Sequence, residues 1–419
     1  MSPLARTGDP ATLKQMAQRV PAPVHRVVRT LVDAGHAAVV VGGAVRDMVL
    51  EVVPGDFDVA TSATPEEVMA VFPRTVPTGL QHGTVTVVEP HVDVRHEAVE
   101  VTTFRTEGGY QDGRRPDHVA FVRELDEDLS RRDFTINAMA LHLHPTPTLA
   151  DPFGGVADLE AGLLRTVGNP DARFQEDGLR AVRAARFAAQ LNLRAVDGLE
   201  DAMARALPVV QKVAAERFLQ ELRKLFEKAP SPSLGLRMMA RTGLLAWMTP
   251  QAPVDLRSLD RPDQVPSKAP EARWAAWLWD GGRDTARKTL QRLKASAALQ
   301  EDVGALCQAP RPEALAVATD AQLRQWVRKV GRARVPWLGA LWATEGGNAV
   351  VERVEAVLAA GYLDGPHQLA LDGHALQALT GAQGKALGEL TRALLATLDQ
   401  TPELNTPDAL AALARSLCP

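Results

Sequence analysis

Asp56-Phe57-Asp58-Val59-Ala60 is the segment that most restricts how this chain can fold. Strand side chains alternate between faces, so an extended backbone here puts both carboxylates on one side and Phe57 and Val59 on the other, towards a core. Upstream, Gly42-Gly43-Ala44-Val45-Arg46-Asp47 follows the apolar run 37–41. A double glycine lets backbone come close to a phosphate, and a helix beginning there aims its free N–H groups at an anion. Paired acids suited to a divalent metal, beside a phosphate-holding turn, point to metal-assisted phosphoryl or nucleotidyl transfer. Taken singly, each motif is also an ordinary turn or a solvated pair.

The first third of the chain mixes strands and helices. Segments 37–41, 56–60, 84–88 and 98–104 read as strands. Thr64-Pro65-Glu66-Glu67 starts a helix, with a hydroxyl cap, proline at the first position and acids in the first turn; Phe72-Pro73 ends it. The polar, glycine-bearing stretch 105–118 reads as a mobile loop. From about residue 151 the texture turns helical, rich in Ala, Leu and Arg and broken by Pro and Gly. The expected fold is therefore α+β: a head at 1–150 with a mixed sheet and helices, then all-helical segments at 151–230, 231–310 and 311–419.

A length of 419 residues with 46% hydrophobic content allows more than one core. The apolar runs are too short to span a bilayer, and 1–15 lacks the apolar stretch of a secretory signal. Cys307 and Cys418 are the sole cysteines, which excludes a disulfide framework and a cysteine zinc site. The cytoplasm is the expected compartment. With a net charge of −4, a nucleic-acid partner would rely on local clusters such as Arg131-Arg132 and the set Arg173, Arg180, Arg183 and Arg186.

Glu100, between Val99 and Val101, is the candidate third carboxylate. It either completes a metal cluster, acts as general base on an attacking hydroxyl, or sits on the solvated face of an edge strand. Further along, Ser130 or Asp133 is expected to cap a helix, and Arg132 to reach a triphosphate or ribose. Asp151-Pro152-Phe153-Gly154-Gly155 reads as a structural turn. On one helix, Asp177 and Arg180 would be i,i+3 neighbours. A carboxylate accepts from an exocyclic amino group and a guanidinium donates to an unprotonated ring nitrogen, so such a pair favours C and A over U and G. The same spacing also suits a plain intrahelical salt bridge. His142 and His144 share a strand face and read as surface histidines; Trp274, Trp277 and Trp279 read as core.

In order along the chain, GGAVRD, GDFDVAT, HGTV, EVTTFRTE, RRDFTINA, DPFGG and RFQEDGLRAVRAARF resemble the class II CCA-adding tRNA nucleotidyltransferase and poly(A) polymerase family of the DNA polymerase beta superfamily. The strong motifs cover 38–187, and Ala215-Glu216-Arg217-Phe218-Leu219-Gln220-Glu221-Leu222 extends them. The resemblance implies a polymerase-beta-like head (1–150), a neck that selects the base (151–230), a body (231–310) and a tail (311–419) that binds tRNA. It implies template-independent addition of CCA to tRNA from CTP and ATP, with release of pyrophosphate. Asp56 and Asp58 would hold two Mg2+ ions about 3.5–4 Å apart, and Glu100 matches the third acid. Gly43, Arg46 and Arg132 match nucleotide contacts, with Asn137 close by. Asp177 and Arg180 match the base-selecting pair, and Arg183 and Arg186 share their helix. The helical end would hold the acceptor and T arms by shape and backbone, with no membrane partner.

Related activities share these motifs: an A-adding enzyme working with a separate CC-adding partner, and poly(A) polymerase. Gly79-Leu80-Gln81-His82-Gly83-Thr84-Val85 follows the CCA-type pattern, and 401–419 is not the basic extension of poly(A) polymerases. A non-catalytic RNA-binding protein would tolerate loss of Asp56 or Asp58, and both are present. A nucleotidyltransferase acting on a small molecule would not need the helical remainder.

Overall fold

Val24, Val27, Val28 and Leu31 recur at helical spacing within 22–33 and are buried, which marks the helix face that covers the head's sheet. The computed structural model describes residues 8–88, 98–108 and 118–418. Residues 1–7 of the stretch read for a secretory signal, and 109–117 of the stretch read as a loop, lie outside the described residues.

Helices α1 (Pro10–Gln18) and α2 (Ala22–Asp33) lead into β1 (Ala38–Val41) and α3 (Gly43–Val49). Then follow β2 (Asp58–Thr61), α4 (Pro65–Val71), β3 (Thr75–Gly79), β4 (Thr84–Val88) and β5 (Ala98–Thr103). Strands β6 (Arg105–Gly108) and β7 (His118–Phe121) pair antiparallel, so the stretch expected to be loop has a two-stranded stem. Helix α5 (Leu125–Ser130) and strands β8 (Ala140–His142) and β9 (Thr148–Ala150) complete the head. Among the described residues its sheet has seven strands in the order β3-β4-β5-β2-β1-β8-β9. The β2–β5 pair is parallel and its other pairs are antiparallel.

The two faces of the sheet differ sharply. Val40, Val59, Val85, Val87, Val99 and Val101 are buried on one side, which α2 and α4 cover. Each buried valine contributes roughly 1.5–3 kcal/mol. On the other side Val39, Val41, Ala60, Ala138 and Ala140 build a second core with Phe104 and Leu129. The start of α4 matches the sequence: Thr64 and Glu67 form a reciprocal capping box and Phe72 is the C-cap.

After the head come α6 (Gly155–Glu160), β10 (Leu163–Leu164), α7 (Pro170–Glu176), α8 (Leu179–Leu191) and β11 (Arg194–Ala195). Helices α9 (Leu199–Arg205), α10 (Leu207–Val210) and α11 (Ala215–Lys228) follow. The stretch is thus not entirely helical, because β10 and β11 form a short parallel pair. The turn at 151–155 is structural as expected: the Asp151 carboxylate accepts from the N–H groups of Gly155 (2.7 Å) and Val156 (2.9 Å) at the start of α6.

The chain divides into two compact units, Met1–Leu225 with Ala229–Trp247, and Phe226–Lys228 with Met248–Pro419. The second unit contains helices and, among the described residues, no strand. Its core is aromatic: Trp274 and Trp277 are buried against Phe226, with ring centroids 4.6 and 6.1 Å away, and Trp279 is also buried. Arg261 is fully enclosed there and donates to the Ala276 carbonyl (2.8 Å), Asp280 (2.8 Å) and Glu345 (3.0 Å). Burial opposes the charge on Asp280, yet Arg261, Ser258 and Arg311 bring its carboxyl down to about 2. A separate leucine cluster around Leu376, Leu394 and Leu410 packs the C-terminal helices.

Gly178 separates α7 from α8 with helical φ (−58°), so its backbone angles do not demand glycine. Space does: an added Cβ would sit 2.7 Å from the Val210 nitrogen and 2.8 Å from the Val209 carbonyl carbon. Backbone cannot retreat as a flexible side chain can. Gly178→Ala should therefore lose on the order of 1–3 kcal/mol of stability, seen as an earlier midpoint in urea unfolding; an unchanged midpoint would contradict the close approach.

Candidate functional site

Register places the acids. Val41 pairs with Asp58 across β1–β2, and Asp58 pairs with Glu100 across β2–β5. Glu100 therefore stands beside Asp58 on an interior strand, between β4 and β2, and not on an edge. The alternation expected over 56–59 holds, with Asp56 and Asp58 exposed and Phe57 and Val59 buried. The strand itself begins only at Asp58, later than expected. Its partner β1 ends at Val41, so Asp56 has no strand to pair with and lies in the segment before β2.

Although Asp58 keeps an exposed surface, its partial desolvation in the cleft raises its carboxyl above the ordinary value; Glu100 pushes it the same way, Arg132 opposes this, and Asp56 adds a smaller push. Asp58 and Glu100 line the cleft with Val41, Val59, Thr84 and Thr102, and Arg105, Arg131 and Arg132 form its basic wall. Among the described residues no group of three or more His, Cys, Asp or Glu side chains is gathered closely enough to hold a metal ion by itself. The donor chemistry nevertheless fits Mg2+, which usually takes one or two carboxylates and completes its shell with water and substrate phosphates. A divalent cation would also relieve the like-charge crowding recorded at Asp58.

Gly42 has φ +74°, and a Cβ there would lie 3.0 Å from Arg132 Nη1. Glycine at 42 thus serves both the turn and the arginine above it. Gly43 opens α3 and has more room, with Arg46 Nη2 at 3.7 Å from a Cβ. Arg46 is buried and donates to Asp47 through Nε (2.9 Å) and Nη2 (2.6 Å), and to Asn137 Oδ1 (2.8 Å). Arg132 donates to Asp128 through Nη2 (3.2 Å), while its Nε is buried without an acceptor. Asp128, also buried, accepts from Arg131 Nη2 (2.7 Å) and from the Arg105 N–H (3.3 Å).

Asp133 and Ser130 cap no helix, contrary to expectation. Ser130 ends α5 and donates to the Glu127 carbonyl (2.7 Å). Asp133 is a buried hub: it accepts from the Phe134 N–H (2.9 Å), Asn137 Nδ2 (3.1 Å) and Arg183 Nε (2.7 Å). Burial works against its charge, but Arg183, Asn137 and Arg180 outweigh it and bring the carboxyl down to about 2.

Asp177 and Arg180 do not share a helix face, and this corrects the expected i,i+3 pair. Asp177 is extended (φ −140°, ψ 109°) at the end of α7. Its carboxylate accepts from the Leu179 N–H (2.9 Å) and from Arg217 Nη2 (2.8 Å). Arg180 instead pairs with Glu176 and donates to the carbonyls of Arg173 (3.4 Å) and Arg131 (3.1 Å). The helix breaks at the extended Asp177, whose carboxylate reaches the first N–H of α8, at Leu179. Arg186 points to Glu221 (2.5 Å). Phe187 collects three guanidinium groups, Arg186 at 3.9 Å from its centroid and Arg46 and Arg183 at 5.3 Å.

The structure thus gathers Asp58, Glu100 and Arg132 around one cleft. Arg46 and Arg183 are joined to each other through Asn137 and Asp133. Sequence reasoning missed the buried anchor Asp128 and took Asp133, a second one, for a helix cap. The i,i+3 and i,i+4 spacing of Asp128 to Arg131 and Arg132 was a usable signal for the first. His142 ends β8, so His144 shares no strand face with it; the His144 ring instead meets His25 edge-on at 6.3 Å. Among the described residues no helix is long and apolar enough to cross a membrane.

The fold and the cleft define a nucleotidyltransferase head of the polymerase-beta type. The family model for the poly A polymerase head domain matches residues 38–165, and that for a probable RNA and SrmB-binding site of polymerase A matches 198–255. A CCA-adding enzyme of Geobacillus stearothermophilus is 40% identical over 294 residues, 69% of this chain and 71% of the relative. One from Geobacillus thermodenitrificans is 47% identical over 224 residues, and there the chain spans about half the relative's length (53%, and 53% of this chain). The structure of the Bacillus stearothermophilus CCA-adding enzyme in complex with CTP superimposes with a TM-score of 0.79 at 32% identity, covering 95% of this chain and 98% of that one. The Thermotoga maritima CCA-adding enzyme complexed with tRNA_CCA shares the fold, at a TM-score of 0.69 and 19% identity over 96% of this chain and 98% of that one. The chain belongs to the CCA-adding enzyme and poly(A) polymerase family.

Asp133 also yields a pH prediction. A carboxyl held near 2 in the fold and near its ordinary value when unfolded stabilises the protein above about pH 4, and that contribution fades as pH falls towards 2. Asp133→Asn should therefore be less stable by about 2–3 kcal/mol at pH 6, with the gap to the unsubstituted protein closing between pH 4 and pH 2 in parallel denaturant titrations. A gap of constant size across that range would refute the ion-pair account.

Proposed function

We propose that the chain adds C, C and A to the 3′ end of tRNA without a template, using CTP and ATP and releasing pyrophosphate. The observation that carries this reading is the β2–β5 register, which sets Asp58 against Glu100 beside the Gly42 turn and Arg132. The similarity to CCA-adding enzymes, one of them solved with CTP, supports the substrate class.

In this reading Asp56 and Asp58 would hold Mg2+, which when bound would supply Lewis-acid activation of the attacking hydroxyl and charge neutralisation at the phosphates. The acceptor 3′-oxygen forms a bond to the α-phosphorus of the incoming nucleotide as the bond to the pyrophosphate oxygen breaks, and the hydroxyl proton passes to Glu100. Arg132, with its unpartnered buried Nε, binds the triphosphate, and the turn at Gly42 and Gly43 lets the phosphates approach the backbone. The buried Arg46 and the half-buried Arg183 form one frame through Asn137 and Asp133, which keeps the nucleotide-facing elements rigid. Asp177 selects the base with Arg180. Arg217 and the Leu179 N–H fix the carboxylate while leaving it lone pairs to accept an amino group. The head (1–150) performs the transfer, the neck (151–230) selects the base, and the body and tail (231–310, 311–419) hold the acceptor and T arms.

Three substrates separate this activity from its relatives: tRNA lacking CCA, tRNA ending in CC, and a generic RNA, each with single nucleotides. C incorporation into the first is expected. A incorporated only into the second would indicate an A-adding enzyme, and A tails on generic RNA a poly(A) polymerase. Asp56→Ala and Asp58→Ala should each lower transfer by on the order of a thousandfold while tRNA retention on a filter stays near that of the unsubstituted protein. Asp177→Ala should let U and G compete with C and A before the overall rate collapses; an unaltered nucleotide preference would remove Asp177 from base selection.

A further inference from the structure

The acid-bearing face of the sheet continues past Glu100 as hydroxyls. Thr102 follows Glu100 by two residues on β5 and pairs in register with Thr84 on β4. Their Oγ1 atoms are 3.1 Å apart. Both residues are half-buried and line the same cleft as Asp58 and Glu100. On the opposite face the same two strands carry buried Val85, Val87, Val99 and Val101. Threonine suits a strand for packing reasons alone. These two, however, face an open cleft beside carboxylates instead of a packed layer.

Two hydroxyls bonded to each other use one proton between them. The second proton remains free to donate, and lone pairs remain free to accept. Such a pair matches a ligand hydroxyl, which also both donates and accepts, better than it matches a phosphate, which only accepts.

The sheet order says which substrate that hydroxyl belongs to. The glycine turn after β1 and the Arg132 above it lie on one side of Asp58; Glu100, Thr102 and Thr84 lie on the other. In phosphoryl transfer the attacking and leaving oxygens lie roughly in line across the phosphorus. With the triphosphate at the glycine and arginine side, the attacking strand enters over β5 and β4. Its terminal ribose carries a 2′-hydroxyl next to the attacking 3′-oxygen. Resting on the nucleotidyl-transfer reading above, we propose that the Thr84–Thr102 pair binds the 2′-hydroxyl of the acceptor's terminal ribose. The pair thereby positions the 3′-oxygen over the acids and selects an RNA end over a DNA end.

The test uses the full chain with tRNA acceptor-stem minihelices whose last nucleotide is either ribo or 2′-deoxy with its 3′-hydroxyl kept. The unsubstituted protein should show a KM for the deoxy minihelix raised roughly fivefold to tenfold, the loss expected for one hydrogen bond, with KM for CTP unmoved. The double variant Thr84→Val with Thr102→Val should show that raised KM on the ribo minihelix and no further loss on the deoxy one. Thr84→Ser, which keeps the hydroxyl, should discriminate like the unsubstituted protein. Equal KM values for both ends, or losses from protein and substrate changes that simply multiply, would overturn the proposal; the second pattern would place the threonines on a phosphate. Equilibrium binding of the two minihelices, read by fluorescence anisotropy, needs no turnover. If no C is incorporated even into the ribo end, the transfer reading fails, and the binding comparison still decides the hydroxyl site: equal affinities refute it and a preference lost in the double variant upholds it.

Discussion

A buried carboxylate has to be fully partnered, and the consequences of that rule run outward from Asp133. Its oxygens take up a backbone N–H, the Asn137 amide and the Arg183 guanidinium. Asn137, fixed through its nitrogen, can offer its oxygen to Arg46 in only one direction, and Arg46 is then held between Asn137 and Asp47. Arg46 and Arg183 come to flank Phe187 on α8. An ion pair with a buried carboxylate, as here, is weak evidence for added stability, since desolvation offsets much of the attraction. It is much stronger evidence for fixed geometry, because moving one member leaves a charge without partners. In this chain it ties the glycine-turn helix α3 to the arginine helix α8.

The sheet supplies a second constraint of a different kind. Alternation on β2, β4 and β5 sorts valines to one face and acids and hydroxyls to the other. One face is fixed by burial under α2 and α4, so slipping any of these strands by one residue would expose its valines. Register is therefore enforced from the back of the sheet, while chemistry is carried on the front. Asp58 and Glu100 meet because Val59 and Val101 are packed, and Glu100 there adds to the desolvation that raises the Asp58 carboxyl.

How legible each part was depends on whether its physics is local. Strands β1, β4 and β5, the capped start of α4 and the turn at Asp151 are written in short-range patterns and appear close to where the sequence places them. The start of β2 was misplaced because it depends on where a partner strand ends, which Asp56 and Asp58 cannot announce. The placing of Asp177 and Arg180 on one helix face differs from the structure for a similar reason. Helical spacing holds only along an unbroken helix, and here the chain leaves helical geometry at Asp177, just before the glycine that packs closely on Val209 and Val210. Asp133 looked like a cap because Asp before a short turn usually is one. Its actual partner Arg183 lies fifty residues on. The recurring motifs located Asp58, Glu100 and Arg132 near one another; which side chain each arginine engages was readable only in three dimensions.

The pairing of those arginines bears on how a chain of net charge −4 can hold a polyanion. Counted as bare residues, Arg173, Arg180, Arg183 and Arg186 suggest a positive stripe. In the fold Arg173 and Arg180 share Glu176, Arg183 meets Asp133 and Arg186 meets Glu221. Much of their charge is neutralised before any ligand arrives, so α7 and α8 offer directed hydrogen-bond donors more than a long-range attractive field. Along this stripe any non-specific attraction of an RNA partner would be correspondingly small, and its share of binding only weakly dependent on salt. In the proposed reaction recognition would then rest on fit, with a nucleotide's polar edges and phosphates meeting donors whose positions are already fixed by Glu176, Asp133 and Glu221.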